Sequence, residues 1–151
     1  MKPVFIGVAG GTGAGKSTLC TLLIDKYSDK ISYVHLDDFS RPSEEAPRFG
    51  KHVNWEHPEA ISFDRLTSSL TDLSEGKPVT IRILNSYFRK INKKDSLKVQ
   101  PKRIILVEGY LILFDERIRK FLTTSIWLDL DHDTRWGRRV HFKDEEYKKE
   151  V

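Results

Sequence analysis

Residues Gly10 to Ser17 read G-G-T-G-A-G-K-S, which fits G-x-x-x-x-G-K-[ST], the phosphate-binding P-loop. The turn from Gly10 and Gly11 through Thr12, Gly13, Ala14 and Gly15 can aim several backbone N–H groups at phosphate oxygens. The helix that follows adds its positive N-terminal end. In that arrangement Lys16 reaches the β- and γ-phosphates of a nucleoside triphosphate, the Ser17 hydroxyl sits on Mg²⁺, and Thr18 completes the stretch. A random chain of this length shows the pattern on the order of once in 200. A glycine-rich turn without a nucleotide is the rival reading, and the flanks argue against it: Val4–Ala9 is an apolar strand, and Thr18–Ile24 an apolar helical stretch.

Further chemistry lies downstream. Asp37 and Asp38 stand at the end of the strand-like run Ile31–Leu36. Ligands of open α/β sheets bind outside the carboxyl ends of strands. A carboxylate there can take the proton from an attacking hydroxyl. Alone the pair fits a turn or cap; at this distance from a P-loop, one Asp is expected to face the site and the other to hold the loop. Glu108 ends the apolar run Arg103–Val107, where a P-loop protein holds its metal directly or through water, and Asp37 joins it as a metal-side acid. Arg135, Arg138 and Arg139 fall at i, i+3 and i+4, on one helical face, and guanidinium forks match phosphoryl oxygens. A solvated basic face is the plainer alternative. Asp131, His132 and Asp133 read as a helix cap. Trp55 could stack on a ring and Glu56 accept two hydroxyls of a sugar diol, although both also suit an ordinary loop. Asn92-Lys93-Lys94-Asp95 imitates the guanine-reading N-K-x-D pattern, but no D-x-x-G precedes it and a polar hairpin tip explains it.

These residues need a frame. The chain reads as strand 4–9, loop 10–16, helix 17–27, strand 31–36, irregular loop 40–57 and a helix from Pro58 to about Ser74. A strand at 79–84, a polar stretch 85–97 and a returning strand near Val99 suggest a hairpin. Then follow strand 103–107, a short helix at 115–121, strand 125–130 and a basic helix 132–142. Strands alternating with helices predict an α/β fold, a parallel sheet with helices on both faces. We expect a single P-loop domain over 1–151, incomplete at its C-terminus, because Lys143–Val151 reads like a helix beginning.

The bulk composition is permissive. The 151 residues suffice for one core, and 26 basic against 22 acidic side chains give a net charge of +4. That suits an anionic ligand such as ATP and does not call for nucleic acid. No stretch is long and apolar enough to span a membrane, and the N-terminus is not a signal peptide. The lone Cys20 excludes an internal disulfide and fits a reducing cytoplasm; it reads as a buried filler.

The order G-G-T-G-A-G-K-S-T, L-D-D-F, N-W-E-H-P-E-A, V-E-G-Y-L-I-L-F and D-H-D-T-R-W-G-R-R resembles the uridine kinase family of P-loop nucleoside kinases, with nicotinamide riboside kinases and phosphoribulokinases as relatives. The resemblance implies ATP- and Mg²⁺-dependent phosphorylation of the 5′-hydroxyl of a ribonucleoside, uridine or cytidine first. It implies no nucleic acid or membrane partner and allows a homo-oligomer. By it Asp37 is the base, Lys16 and Ser17 bind phosphate and metal, and Glu108 is the second metal-side acid. Glu56 holds the ribose hydroxyls, and Arg135 and Arg138 are lid arginines. Two departures stand out. Uridine kinases usually carry Asp where Glu56 stands, and their base-reading segment carries Tyr and His, whereas Ile83–Lys90 has no His. Tyr87 and Arg89 are the candidates there. A kinase of another small hydroxyl acceptor, such as nicotinamide riboside or pantothenate, and a nucleotide-binding regulator without a small substrate are the alternatives.

Overall fold

The computed structural model describes residues 2–139. Residues 140–142 of the expected lid helix and the tail 143–151 lie outside the described residues. Along the chain run β1 (Val4–Gly10), α1 (Lys16–Lys26), β2 (Ile31–His35) and a 3₁₀ turn (Leu36–Phe39). A small hairpin of β3 (Arg48–Phe49) and β4 (His52–Val53) is followed by a second 3₁₀ turn (Pro58–Ala60) and α2 (Phe63–Ser74). Then come β5 (Val79–Arg82), α3 (Ser86–Asn92), β6 (Ser96–Val99), β7 (Ile104–Glu108), α4 (Glu116–Arg119) and β8 (Thr124–Leu128). Residues 132–139 are helical.

Four strands form one parallel sheet in the order β2-β7-β1-β8. Strand alternation divides its side chains between two helical layers. Val8, Ile31 and Leu106 pack with Cys20 and Leu23 of α1 on one face. Phe5, Ala9, Ile105 and Val107 pack with Leu66, Leu70 and Leu73 of α2 on the other. The three leucines have no exposed surface, and each contributes about 1.5–3 kcal/mol by burial. The apolar run before Glu108 is therefore a strand buried on both faces, as its sequence predicts.

The chain passes from β1 to β2 over the place that β7 later fills, so the order reverses beside β1. The carboxyl ends of β1, β2 and β7 meet at this switch point, which is where ligands of open sheets bind.

Three expectations are corrected. The helix expected from Pro58 is broken: Ser62 N–H donates to the Phe39 carbonyl (3.0 Å) and Ile61 bridges Ser40, so an extended link separates the turn 58–60 from α2. The polar stretch 85–97 contains α3, started by the Asn85 side chain accepting from the N–H groups of Tyr87 (3.0 Å) and Phe88 (3.3 Å). Strand 103–107 is shifted by one, so Glu108 is the last residue of β7 rather than the first of a loop.

Candidate active site

The P-loop is closed by the Ala14 N–H bonding to the Gly11 carbonyl (3.1 Å), with Gly13 and Gly15 at positive φ. No side chain caps the N-terminus of α1, so its first N–H groups remain open to an anion. Lys16 is buried and folds back so that Nζ donates to the Gly11 carbonyl (3.1 Å). Burial pushes Lys16 below its usual pKa range, and Glu108 and Asp37 offset part of that.

Beside the loop lie two carboxylates and a donor set the motifs did not name. Glu108, 1% exposed, takes three donors on Oε2: Tyr33 Oη (2.6 Å), His35 Nε2 (2.9 Å) and Ser17 Oγ (3.2 Å). Among the described residues no hydrogen bond falls on Oε1. Asp37 Oδ2 stands 3.4 Å from the same His35 Nε2. Burial and the Glu108 charge raise the Asp37 pKa against the pull of His35 and Lys16. Burial alone would raise Glu108 too, but hydrogen bonds from His35 and Tyr33 and the charges of His35 and Lys16 hold it below its ordinary value. Burial opposes charge on His35, yet the Glu108 bond and the acids around it push its pKa up to about 9. Asp38 is buried away from the loop, and Asn92 Nδ2 donates to its Oδ1 (3.4 Å). Asp38 thus ties the turn after β2 to the end of α3 rather than to its own loop, and Asn92 of the guanine-like pattern serves this structural bond.

Arg135, Arg138 and Arg139 face the P-loop and the loop 40–57, but each differently. Arg135 donates Nε to the Leu130 carbonyl (3.0 Å) and packs on Gly11, where any β-carbon would collide with its guanidinium. Arg138 Nη1 donates to the Gly13 carbonyl (3.1 Å). Arg139 Nη1 pairs with Glu56 Oε1 (2.7 Å). Asp131 is the expected cap, accepting from the Thr134 N–H (2.8 Å) and hydroxyl (2.6 Å).

Two cavities share this ground. One of about 430 Å³ holds Lys16, Ser17, Thr18, Asp37, Glu108 and Arg138. The other, about 500 Å³, lies between Gly10–Thr12, Glu56, Arg135 and the aromatic rings of Trp127 and Trp136. Tyr110 and Arg139 line both. Trp55 lines neither; its carbonyl accepts from the Tyr110 hydroxyl. Tyr87, half exposed on α3, lines neither cavity.

The donor set suits a magnesium nucleotide. Ser17 Oγ and the open Oε1 of Glu108 are hard oxygens beside Asp37 in one cavity. Among the described residues no three His, Cys, Asp or Glu side chains cluster as a cage. Mg²⁺ is usually held by one or two protein oxygens, with phosphate and water filling the shell.

Tyr33 and His35 are the functional neighbours that motif reading missed. Their signal was parity: positions 33 and 35 share a strand face with Glu108, because His35 and Glu108 are register partners in the β2–β7 pair.

The model of the phosphoribulokinase/uridine kinase family matches residues 5–147. The chain is 36% identical over 142 residues to a uridine kinase of Brevibacillus brevis, covering 92% of this chain and 65% of that one. It is 33% identical over 151 residues to a probable uridine-cytidine kinase of Caenorhabditis elegans, covering 91% and 60%. The chain thus spans less than two thirds of the length of these curated relatives. The solved structure of a possible uridine kinase from Bacillus stearothermophilus matches with a TM-score of 0.70 at 20% identity, over 100% of this chain and 83% of that one, a likeness of fold. A P-loop at the end of β1, acids at the ends of the two strands that follow it on one side of the sheet, and a family match over most of the length lead to one conclusion: the chain belongs to the phosphoribulokinase/uridine kinase family.

Proposed function

We propose that the protein phosphorylates the 5′-hydroxyl of a ribonucleoside, uridine or cytidine foremost, with ATP as donor and Mg²⁺ as metal. The observation that carries this reading is the cavity in which Asp37 faces Lys16, Ser17 and Glu108 under Arg138. The names of the curated relatives support the acceptor class. We take residues 1–151 as belonging to one kinase domain, with 132–142 as its basic lid, working in the cytoplasm and free to assemble with copies of itself. Among the described residues no helix is long and apolar enough to cross a membrane.

In this mechanism Asp37 orients the acceptor hydroxyl and takes its proton as the oxygen bonds to the γ-phosphorus and the bond to the β–γ bridging oxygen breaks. Its raised pKa brings it nearer the hydroxyl it must deprotonate. Lys16 and the N–H groups of Gly13–Thr18 hold the phosphates, and Arg138 and Arg135 stabilise charge on the transferring group. Ser17, Glu108 and Asp37 would hold Mg²⁺, which would supply neutralisation of the charge on the phosphates. Glu56 receives the ribose hydroxyls.

Transfer of label from [γ-³²P]ATP to uridine, cytidine, nicotinamide riboside and pantothenate tests the reading. Labelled UMP or CMP is expected. Label only on nicotinamide riboside or pantothenate would move the acceptor, and slow hydrolysis indifferent to all four would make the protein a nucleotide-binding regulator.

A further inference from the structure

Glu108 and Asp37 come from different strands, β7 and the turn after β2, and their separation decides whether base and metal serve the same phosphoryl group. One ring sits between them. His35 Nε2 lies 2.9 Å from Glu108 Oε2 and 3.4 Å from Asp37 Oδ2. Its place is fixed from three directions. The backbone register sets His35 directly beside Glu108. The Tyr33 ring stacks on the imidazole, with centroids 5.7 Å apart and planes within 16°. The Tyr33 hydroxyl closes the triangle by donating to the same Glu108 oxygen at 2.6 Å.

Two carboxylates this near a buried strand end repel one another, and a side chain 31% exposed, as Asp37 is, has room to rotate away. A donor between them removes that freedom. It also divides the work of Glu108: Oε2 is saturated by Tyr33, His35 and Ser17, while Oε1 is left for an incoming ion or its water. Partners that bond the outer side of a metal-side acid commonly change affinity or activity about 10–100-fold when removed.

We propose that His35, supported by Tyr33, is a positioning residue that sets the distance between the base Asp37 and the metal-side Glu108; this rests on the kinase reading given above. Tyr33 acts through Glu108, and His35 through Glu108 and Asp37. Their effect is on where the two carboxylates stand, so it falls on turnover and metal retention rather than on nucleotide or acceptor affinity.

The test compares His35→Ala, His35→Gln and Tyr33→Phe with the parent protein. Initial rates are measured with ATP and uridine, and Mn²⁺ retention is counted by electron paramagnetic resonance in the presence of ADP. His35→Ala is expected to lower kcat by about 10–100-fold with both KM values within twofold, and to weaken Mn²⁺ binding by about tenfold. His35→Gln, whose amide N–H can reach the same oxygen, restores most of both. Tyr33→Phe weakens Mn²⁺ binding and leaves KM for uridine in place. A kcat within twofold of the parent in His35→Ala, unchanged Mn²⁺ binding, or a Gln variant no better than Ala overturns the proposal. A ring needed only for folding would lower the melting temperature of Ala and Gln alike without separating kcat from KM, which also overturns it. If the parent itself transfers no phosphate to uridine or another acceptor, the kinase reading fails, and the Mn²⁺ count on His35→Ala decides the positioning role alone.

Discussion

Asp37 gathers more of the chemistry than any other side chain, since it touches the donor cavity, the His35 ring and the charge of Glu108. Asp37→Asn keeps the shape and removes the proton acceptor. We expect kcat to fall by about 10²–10⁴-fold, the usual worth of a positioned general base. The dissociation constant for ATP, read by isothermal titration, should move less than threefold; near-parental turnover would remove Asp37 from the role of base. Lys16, Ser17, Asp37 and Glu108 were legible in the sequence because each occupies a fixed offset in a motif or the end of an apolar run. Tyr33 and His35 were not, because they carry no motif of their own. Their meaning comes from the strand that lies beside them, and β7 is about 70 residues away along the chain. Tyr87 was singled out for its type, and the structure places it half exposed on α3, outside the lining of the two cavities described.

At the scale of elements, periodicity located what burial controls. Leu66, Leu70 and Leu73 gave α2 its helical signal because that face meets the sheet. Leu70→Ala should therefore cost about 2–5 kcal/mol of unfolding free energy in urea, with KM for ATP unchanged in the protein that remains folded. A loss below 1 kcal/mol would mean that α2 does not pack against β7 as described. Where burial does not control an element, the pattern was silent. No residue of α3 is buried, and its one apolar turn, Tyr87 and Phe88 with Ile91, is too short to announce a helix; the Asn85 cap marks its start. The break before α2 was hidden for a different reason. It depends on Phe39 and Ser40, a partner segment that no local window contains. The hairpin of β3 and β4 inside the loop 40–57 is two residues per strand, too short to leave an alternation.

At the scale of the molecule, alternating strands and helices announced a parallel sheet, while the order β2-β7-β1-β8 had to come from the structure. That order creates the crevice, and the segment 132–139 joins the P-loop to the loop 40–57 through Arg138–Gly13 and Arg139–Glu56. The second contact sets a competition. Glu56 is expected to accept ribose hydroxyls, yet a guanidinium already occupies it. An exposed pair of this kind is worth about 0.2–1 kcal/mol, so Arg139→Ala should lower KM for the nucleoside by up to about fivefold. Glu56→Gln should raise it, with KM for ATP steady in both. Initial rates at fixed ATP would check this; a higher nucleoside KM in Arg139→Ala would show that Arg139 binds the acceptor instead of competing with it.

Gly109 has a part in this arrangement that its lack of a side chain conceals. It follows Glu108 and lies against Leu36, the residue before Asp37, so closely that a β-carbon would overlap the leucine side chain. The chain segments that carry the two acids thus approach to within the space of a single hydrogen atom. In a library that varies this protein toward new acceptors, position 109 is the one to hold fixed. Even alanine there would wedge the two strand ends apart, and every other substitution would be judged on a damaged frame.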